Sequence, residues 1–182
     1  ELLAGIPSVV YGFFGLVVIV PMIRNYTAAQ GIGGNGQTML TASIILGIMI
    51  LPTIIGVTES AMRSVPDQYY EGSLALGATK ERTIFRIVIP AAKSGVIAGI
   101  VLGIGRAIGE TMAVIMVAGN QPRMPQGILE GVRTMTTNIV MEMGYAADLH
   151  REALIATAVV LFVFILIINA CVSLLNRRSE HD

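Results

Sequence analysis

Two charges in the stretch GRAIGETMAVIMVAGN, residues 105–120, are of a type and spacing that could do chemistry: Arg106 and Glu110. Their flanks, Val96 to Gly105 and Thr111 to Gly119, carry no charge. An arginine offers a planar fork of N–H donors that matches the oxygens of an oxyanion. A carboxylate close by tempers that attraction, so that a captured ion can leave again. It also accepts a hydrogen bond from a protonated oxygen, which a fully ionised anion does not have. The structural use of the same pair is an i, i+4 ion pair that locks two helices together. Each charge costs roughly 2.5–3.5 kcal/mol at the centre of a bilayer, so an idle pair is disfavoured in so apolar a run.

The elements that carry these residues follow from composition. Of the 182 residues 54% are hydrophobic and only 13% charged, where ordinary globular domains run to about 25% charged. Ile6 to Ile23, Met39 to Thr58 and Ala153 to Leu175 carry no charge, and each is long enough to cross a hydrocarbon core of about 30 Å as a helix. A fourth run, 94–119, is long enough too and holds Arg106 and Glu110. The expected fold is an all-α, polytopic transmembrane bundle of one domain with spans at about 6–23, 39–58, 94–119 and 153–175. On a wheel at about 100° per residue, Gly95, Gly99, Gly103, Arg106, Glu110 and Ala113 share a stripe about 80° wide. Small residues let a neighbouring helix or a cavity approach the backbone, so the two charges are expected to face protein or water rather than lipid.

Several tempting signals are set aside. The net charge is zero, and nothing suggests nucleic-acid binding. GIGGNG lacks the Gly-Lys-Ser/Thr ending of a phosphate loop and reads as a turn between spans. The ten methionines are scattered and suit flexible apolar packing, not metal. Cys171 reads as a small apolar residue, and His150 and His181 as solvated. The first run lacks a basic n-region and a small-residue cleavage site, and Glu1 precedes it, so it does not read as a signal peptide. Pro52, with Gly47 and Gly56 around it, is placed to bend the second span. Past Pro125, Ile128, Val132, Met135, Ile139 and Met143 recur at helical spacing and predict one amphipathic helix.

The connection between the second and third spans holds Arg63, Lys80, Arg82, Arg86 and Lys93. With Arg177 and Arg178 its side of the membrane carries seven basic residues against four on the other, which puts residues 59–93 and the C-terminus in the cytoplasm. Within it, residues 66–90 read PDQYYEGSLALGATKERTIFRIVIP. Ser64 is placed to cap a first helix with Pro66 in its opening turn, Gly77 to end it in a left-handed conformation, Thr79 to cap a second helix and Pro90 to end that one. Two short helices about a glycine corner make a rigid projection suited to a partner's groove.

This connection resembles the signature of ABC importer permease subunits: Glu-Ala-Ala, three residues, Gly, nine residues, Ile, one residue, Leu-Pro. Here Glu71-Gly72-Ser73 opens it, Gly77 and Ile87 stand at the required spacing, and Ile89-Pro90 closes it. Gly72, Ser73 and Ile89 depart from the consensus. AGIPSVVYGFFG, ILPTIIGVTESAMRSVP and LGIGRAIGETMAVIMVAGN resemble the permease of the phosphate-specific importer, a type I ABC importer permease of a prokaryotic inner membrane. That resemblance covers essentially the whole chain and implies further spans ahead of Glu1. It also implies that the chain itself is no enzyme and holds no cofactor, ATP and magnesium being bound by a partner. The implied partners are a second homologous permease, an ATPase dimer and an external phosphate-binding protein. Open alternatives are another oxyanion, sulfate or molybdate, and a channel or secondary transporter that works without ATP.

Overall fold

A computed structural model describes residues 5–179, with side chains as far as Cys171. Glu1, His181 and the side chains of Arg177 and Arg178 lie outside the described residues. Regular structure among these is helical, with one isolated bridge between Gly119 and Val132.

The first span is α1 (Ser8–Phe14), a π turn (Gly15–Ile19) and α2 (Val20–Ala29) in continuous succession. Pro21 explains the π turn. In a regular helix its ring would meet the carbonyl four residues back, and the wider register, closed here by Val20 N–H to Gly15 O, relieves that clash. The GIGGNG segment is the expected turn, with Gly31, Gly33, Gly34 and Gly36 all at positive φ.

The second span is α3 (Met39–Arg63). Pro52 stands inside it, and the helix runs through that residue without interruption. Its start is unusually well satisfied. Thr38 Oγ1 accepts from Thr41 N–H at 3.2 Å, and the carbonyls of Glu130 and Ile128 accept from Met39 and Leu40 N–H, both at 2.8 Å. These groups would otherwise be orphan donors of the first turn.

After α3 come α4 (Asp67–Ala75), α5 (Lys80–Thr83), a second π turn (Ile84–Val88), α6 (Ile89–Ala91) and α7 (Lys93–Gly109). Ser64 does not cap α4. It ends α3, its hydroxyl donating to Ala61 O at 2.7 Å, and Pro66 directly precedes α4. Pro90 does not end a helix either. Ile89 N–H reaches back to Ile84 O across the second π turn, the same accommodation seen before Pro21, and the chain stays helical to Ala91. The turn comes at Ala92, where the helix axis bends by 74° into α7.

Completing the chain are α8 (Met112–Val117), α9 (Met135–Glu142) and α10 (Asp148–Ser179). The single amphipathic helix predicted over Ile128 to Met143 is therefore only its second half. Thr134 caps α9 by accepting from Thr137 N–H, while the carbonyls of Ile128 and Glu130 are engaged at the head of α3 and are not free to build a helix. Among the described residues three helices are long and apolar enough to cross a membrane, four if the bent pair is one span.

Glycines set the packing. A Cβ on Gly12 would lie 2.9 Å from Ala113 Cα, and one on Gly15 2.8 Å from Ile45 Cγ1. The first span thus closes directly on α8 and α3, around a core of Tyr11, Val20, Ile45, Met49, Val114 and Val117. Gly95, Gly99 and Gly103 line α7 where it meets Ala61, Val57 and Ile54 of α3.

Candidate functional site

The 66–90 projection is built by its capping groups. Gly77, at φ +84°, is left-handed as predicted. Gly77 N–H donates to Leu74 O at 2.9 Å and Ala78 N–H to Ser73 O at 3.2 Å, the paired bonds of a Schellman motif. Thr79 Oγ1 then accepts from Arg82 N–H at 3.3 Å and starts α5. The hydroxyls of Ser73 and Thr83 are 2.9 Å apart and fasten α4 to α5, with Thr83 fully buried. Ser73 thus makes a cross-link between the two helices that an alanine at this position cannot make. Glu71, Gly72 and Gly77 are exposed and Ile87 and Ile89 half-buried. Leu76, 91% exposed at the corner, and Phe85 present apolar surface outward.

The 94–119 run is a broken helix, which corrects the predicted stripe. α7 ends at Gly109. Glu110 is extended, at φ −69° and ψ 131°, and α8 begins at Met112. Gly95, Gly99, Gly103 and Arg106 keep their common face, but Glu110 leaves it. Its carboxylate accepts from Ala113 N–H at 3.0 Å and so caps α8, while its carbonyl, freed by the break, accepts from Thr136 Oγ1 of α9 at 3.2 Å. No ion pair joins Arg106 to Glu110. Arg106 Nη1 donates instead to Thr53 Oγ1 of α3 at 3.2 Å. Arg106 and Thr53 line a cleft of about 630 Å³ between α3, α7 and α10.

Sequence reasoning missed a polar cluster at the other end of the break. Arg133 Nη1 donates to Glu142 Oε1 at 2.7 Å and to Asn138 Oδ1 at 3.3 Å, and its Nε to Asn120 O at 3.0 Å. Tyr145 donates its hydroxyl to Glu142. His150 is half-exposed with Nε2 3.6 Å from Glu142 Oε2, so it is not simply a solvated group. The Tyr145 hydrogen bond, helped by Arg133, holds the Glu142 carboxyl below its ordinary pKa, and the same bond raises that of Tyr145. Nothing in the spacing of residues 120, 133, 138 and 142 announces this cluster. It forms because the loop between α8 and α9 returns to set Val132 beside Gly119 and Arg133 against Asn120.

Comparison with known proteins agrees with this architecture. The family model described as the binding-protein-dependent transport system inner membrane component matches residues 1–181. The probable ABC transporter permease protein YqgH of Bacillus subtilis strain 168 is 42% identical over 175 residues, covering 93% of this chain and 55% of the relative. The phosphate transport system permease protein PstC of Xylella fastidiosa strain Temecula1 is 38% identical, covering 99% and 61%. PstC 1 of Mycobacterium tuberculosis strain H37Rv is 34% identical, covering 98% and 59%. The chain therefore spans between about half and two thirds of the length of these curated relatives. No solved structure matches it significantly. An all-α set of spanning helices, the permease corner about Gly77 and a family match from end to end identify the chain as a multi-pass inner-membrane protein that belongs to the family of binding-protein-dependent transport system inner membrane components.

Proposed function

We propose that the chain is the permease portion of an ATP-driven importer that carries inorganic phosphate across the cytoplasmic membrane. It works beside a second, related permease, a dimer of ATPase subunits that binds ATP and magnesium, and an external phosphate-binding protein. The observation that carries this reading is the 66–90 projection, in which the signature spacing from Glu71 to Pro90 is folded about a left-handed Gly77 and offers Leu76 and Phe85 to a partner. A channel or secondary transporter has no use for such an element. The phosphate assignment is supported by relatives named as phosphate permeases and by an arginine in an apolar cleft. The deciding experiment is phosphate uptake by the full-length protein, co-expressed with its neighbouring transporter subunits, with and without a functional ATPase. ATP-independent uptake, or uptake of sulfate or molybdate in place of phosphate, would overturn the proposal.

Two further outcomes are expected. A single cysteine at Lys80, in a Cys171→Ala background, should resist membrane-impermeant thiol reagents added to intact cells and react once the membrane is opened. Ready labelling from outside would reverse the topology. Gly77→Val should insert and assemble yet couple poorly. Beyond Gly77 and its chain neighbours no atom stands within 4 Å of a Cβ placed there, so the cost is that of the left-handed backbone alone, roughly 1–2 kcal/mol. Gly77→Asn, which tolerates that conformation, should couple better than Gly77→Val. Full transport-linked ATP turnover by Gly77→Val would remove the corner from the coupling mechanism.

A further inference from the structure

We infer that Asn169 of α10, with Thr53 of α3, completes an oxyanion site around Arg106, and that Asn169 supplies the acceptor for the protonated oxygen of hydrogenphosphate. This rests on the phosphate-permease reading and adds to it the residues that recognise the ion. Three elements bring three polar side chains to one cleft, whose remaining walls include Ala98, Val101, Leu102 and Ile165. A guanidinium has five N–H donors, and among the described contacts Arg106 engages one, with Thr53. Because the Thr53 oxygen accepts that bond, its own O–H is left to donate. Asn169 holds no described hydrogen bond and brings both an N–H₂ group and a carbonyl oxygen. The cleft thus offers one positive charge, neutral donors and one amide acceptor. No carboxylate lines it, since Glu110 is engaged at the start of α8.

This set matches a tetrahedral oxyanion that still carries a proton. The charge and the donors meet its ionised oxygens, and the amide oxygen accepts from its P–OH. A fully ionised oxyanion would leave that amide oxygen without a donor, and sites built to hydrogen-bond a substrate hydroxyl discriminate strongly against analogues that lack it. Apolar walls strengthen each of these contacts by lowering the local dielectric.

The test uses the full-length transporter with inorganic phosphate as the probe, reading uptake, amount of assembled complex and ATP turnover stimulated by the binding protein. Asn169→Leu should lower uptake roughly tenfold, the scale of one lost hydrogen bond to a charged ligand, with assembly and stimulated ATP turnover retained. Asn169→Gln, which keeps the amide, should recover much of the loss. Thr53→Val should fall and Thr53→Ser should not. Wild-type uptake by Asn169→Leu, or equal losses in Asn169→Gln and Asn169→Leu, would overturn the assignment. Should Asn169→Leu fail to assemble, the two Thr53 variants decide, and equal uptake by both would overturn it. The outcomes separate the two proposals. Loss of uptake in Arg106→Gln with full uptake in Asn169→Leu removes Asn169 alone, whereas a wild-type protein without ATP-driven phosphate uptake removes the permease reading itself.

Discussion

Arg106→Gln should abolish ATP-driven phosphate uptake while the transporter still assembles. The glutamine retains a donor for Thr53 Oγ1, so the link between α7 and α3 has a substitute, but the positive charge in the cleft is gone. Because Arg106 and Glu110 form no ion pair, the substitution strands no carboxylate, which is the usual reason that breaking a buried pair is so costly. Glu110 keeps its bond to Ala113 N–H. Glu110→Gln retains an oxygen for that bond and should be mild, whereas Glu110→Ala removes the cap and should loosen α8. The double variant Arg106→Gln/Glu110→Gln should be as inactive as Arg106→Gln alone, since residues that do not touch show little coupling. Uptake in right-side-out vesicles, normalised to assembled complex, is the measurement. Robust uptake by the double variant would return the pair to a purely structural role.

Gly95→Leu should have the largest effect on stability. Even a methyl group at Gly95 would overlap the Ala61 Cβ of α3, and a leucine would force α3 and α7 apart along the face that also holds Gly99 and Gly103. Overpacking of this kind costs about 1–3 kcal/mol, and in a helical pair held by close backbone approach there is little else to compensate. Gly95→Ala should be destabilising for the same reason on a smaller scale, and Ala61→Gly should restore it by removing the opposing methyl. Thermal unfolding of the purified protein in detergent reads all three. A stable Gly95→Leu, or no rescue by Ala61→Gly, would show that α3 and α7 do not meet through this face.

Much of this architecture was legible in the residues. Three uninterrupted apolar runs became three spans, and Gly77 and Thr79 became the corner and cap that their types predict, because turn and cap chemistry is local. The break at Glu110 was not legible by periodicity. A helical wheel presumes a continuous helix, and hydropathy cannot distinguish one span from two half-helices in line. The local signal was there in Gly109-Glu110-Thr111, where a flexible residue is followed by a side chain able to cap what comes next. Pro90 misled for the opposite reason, since its missing N–H stops a regular helix but is absorbed when the preceding turn is π. The truncation of the 128–143 helix was beyond reach, because it depends on a segment far away in sequence, and the Arg133–Glu142 cluster because it depends on the path of the irregular loop from Asn120 to Arg133. Ile128 and Glu130 lend their carbonyls to α3, a segment about ninety residues earlier.

The 74° elbow at Ala92 turns the 66–90 projection and α7 into the two arms of a crank. Arg106 stands fourteen residues beyond the pivot, about 21 Å along α7 at about 1.5 Å per residue. A rotation of about ten degrees at the elbow would sweep its guanidinium through roughly 4 Å, more than the length of any hydrogen bond it could hold. With α7 seated on α3 through its glycines, such a stroke would be shared by both helices. The other arm, Lys80–Ala91, is about 18 Å long at the same rise, so a push of about 3 Å at its far end would reach Arg106 undiminished, and holding and letting go would become two positions of one lever.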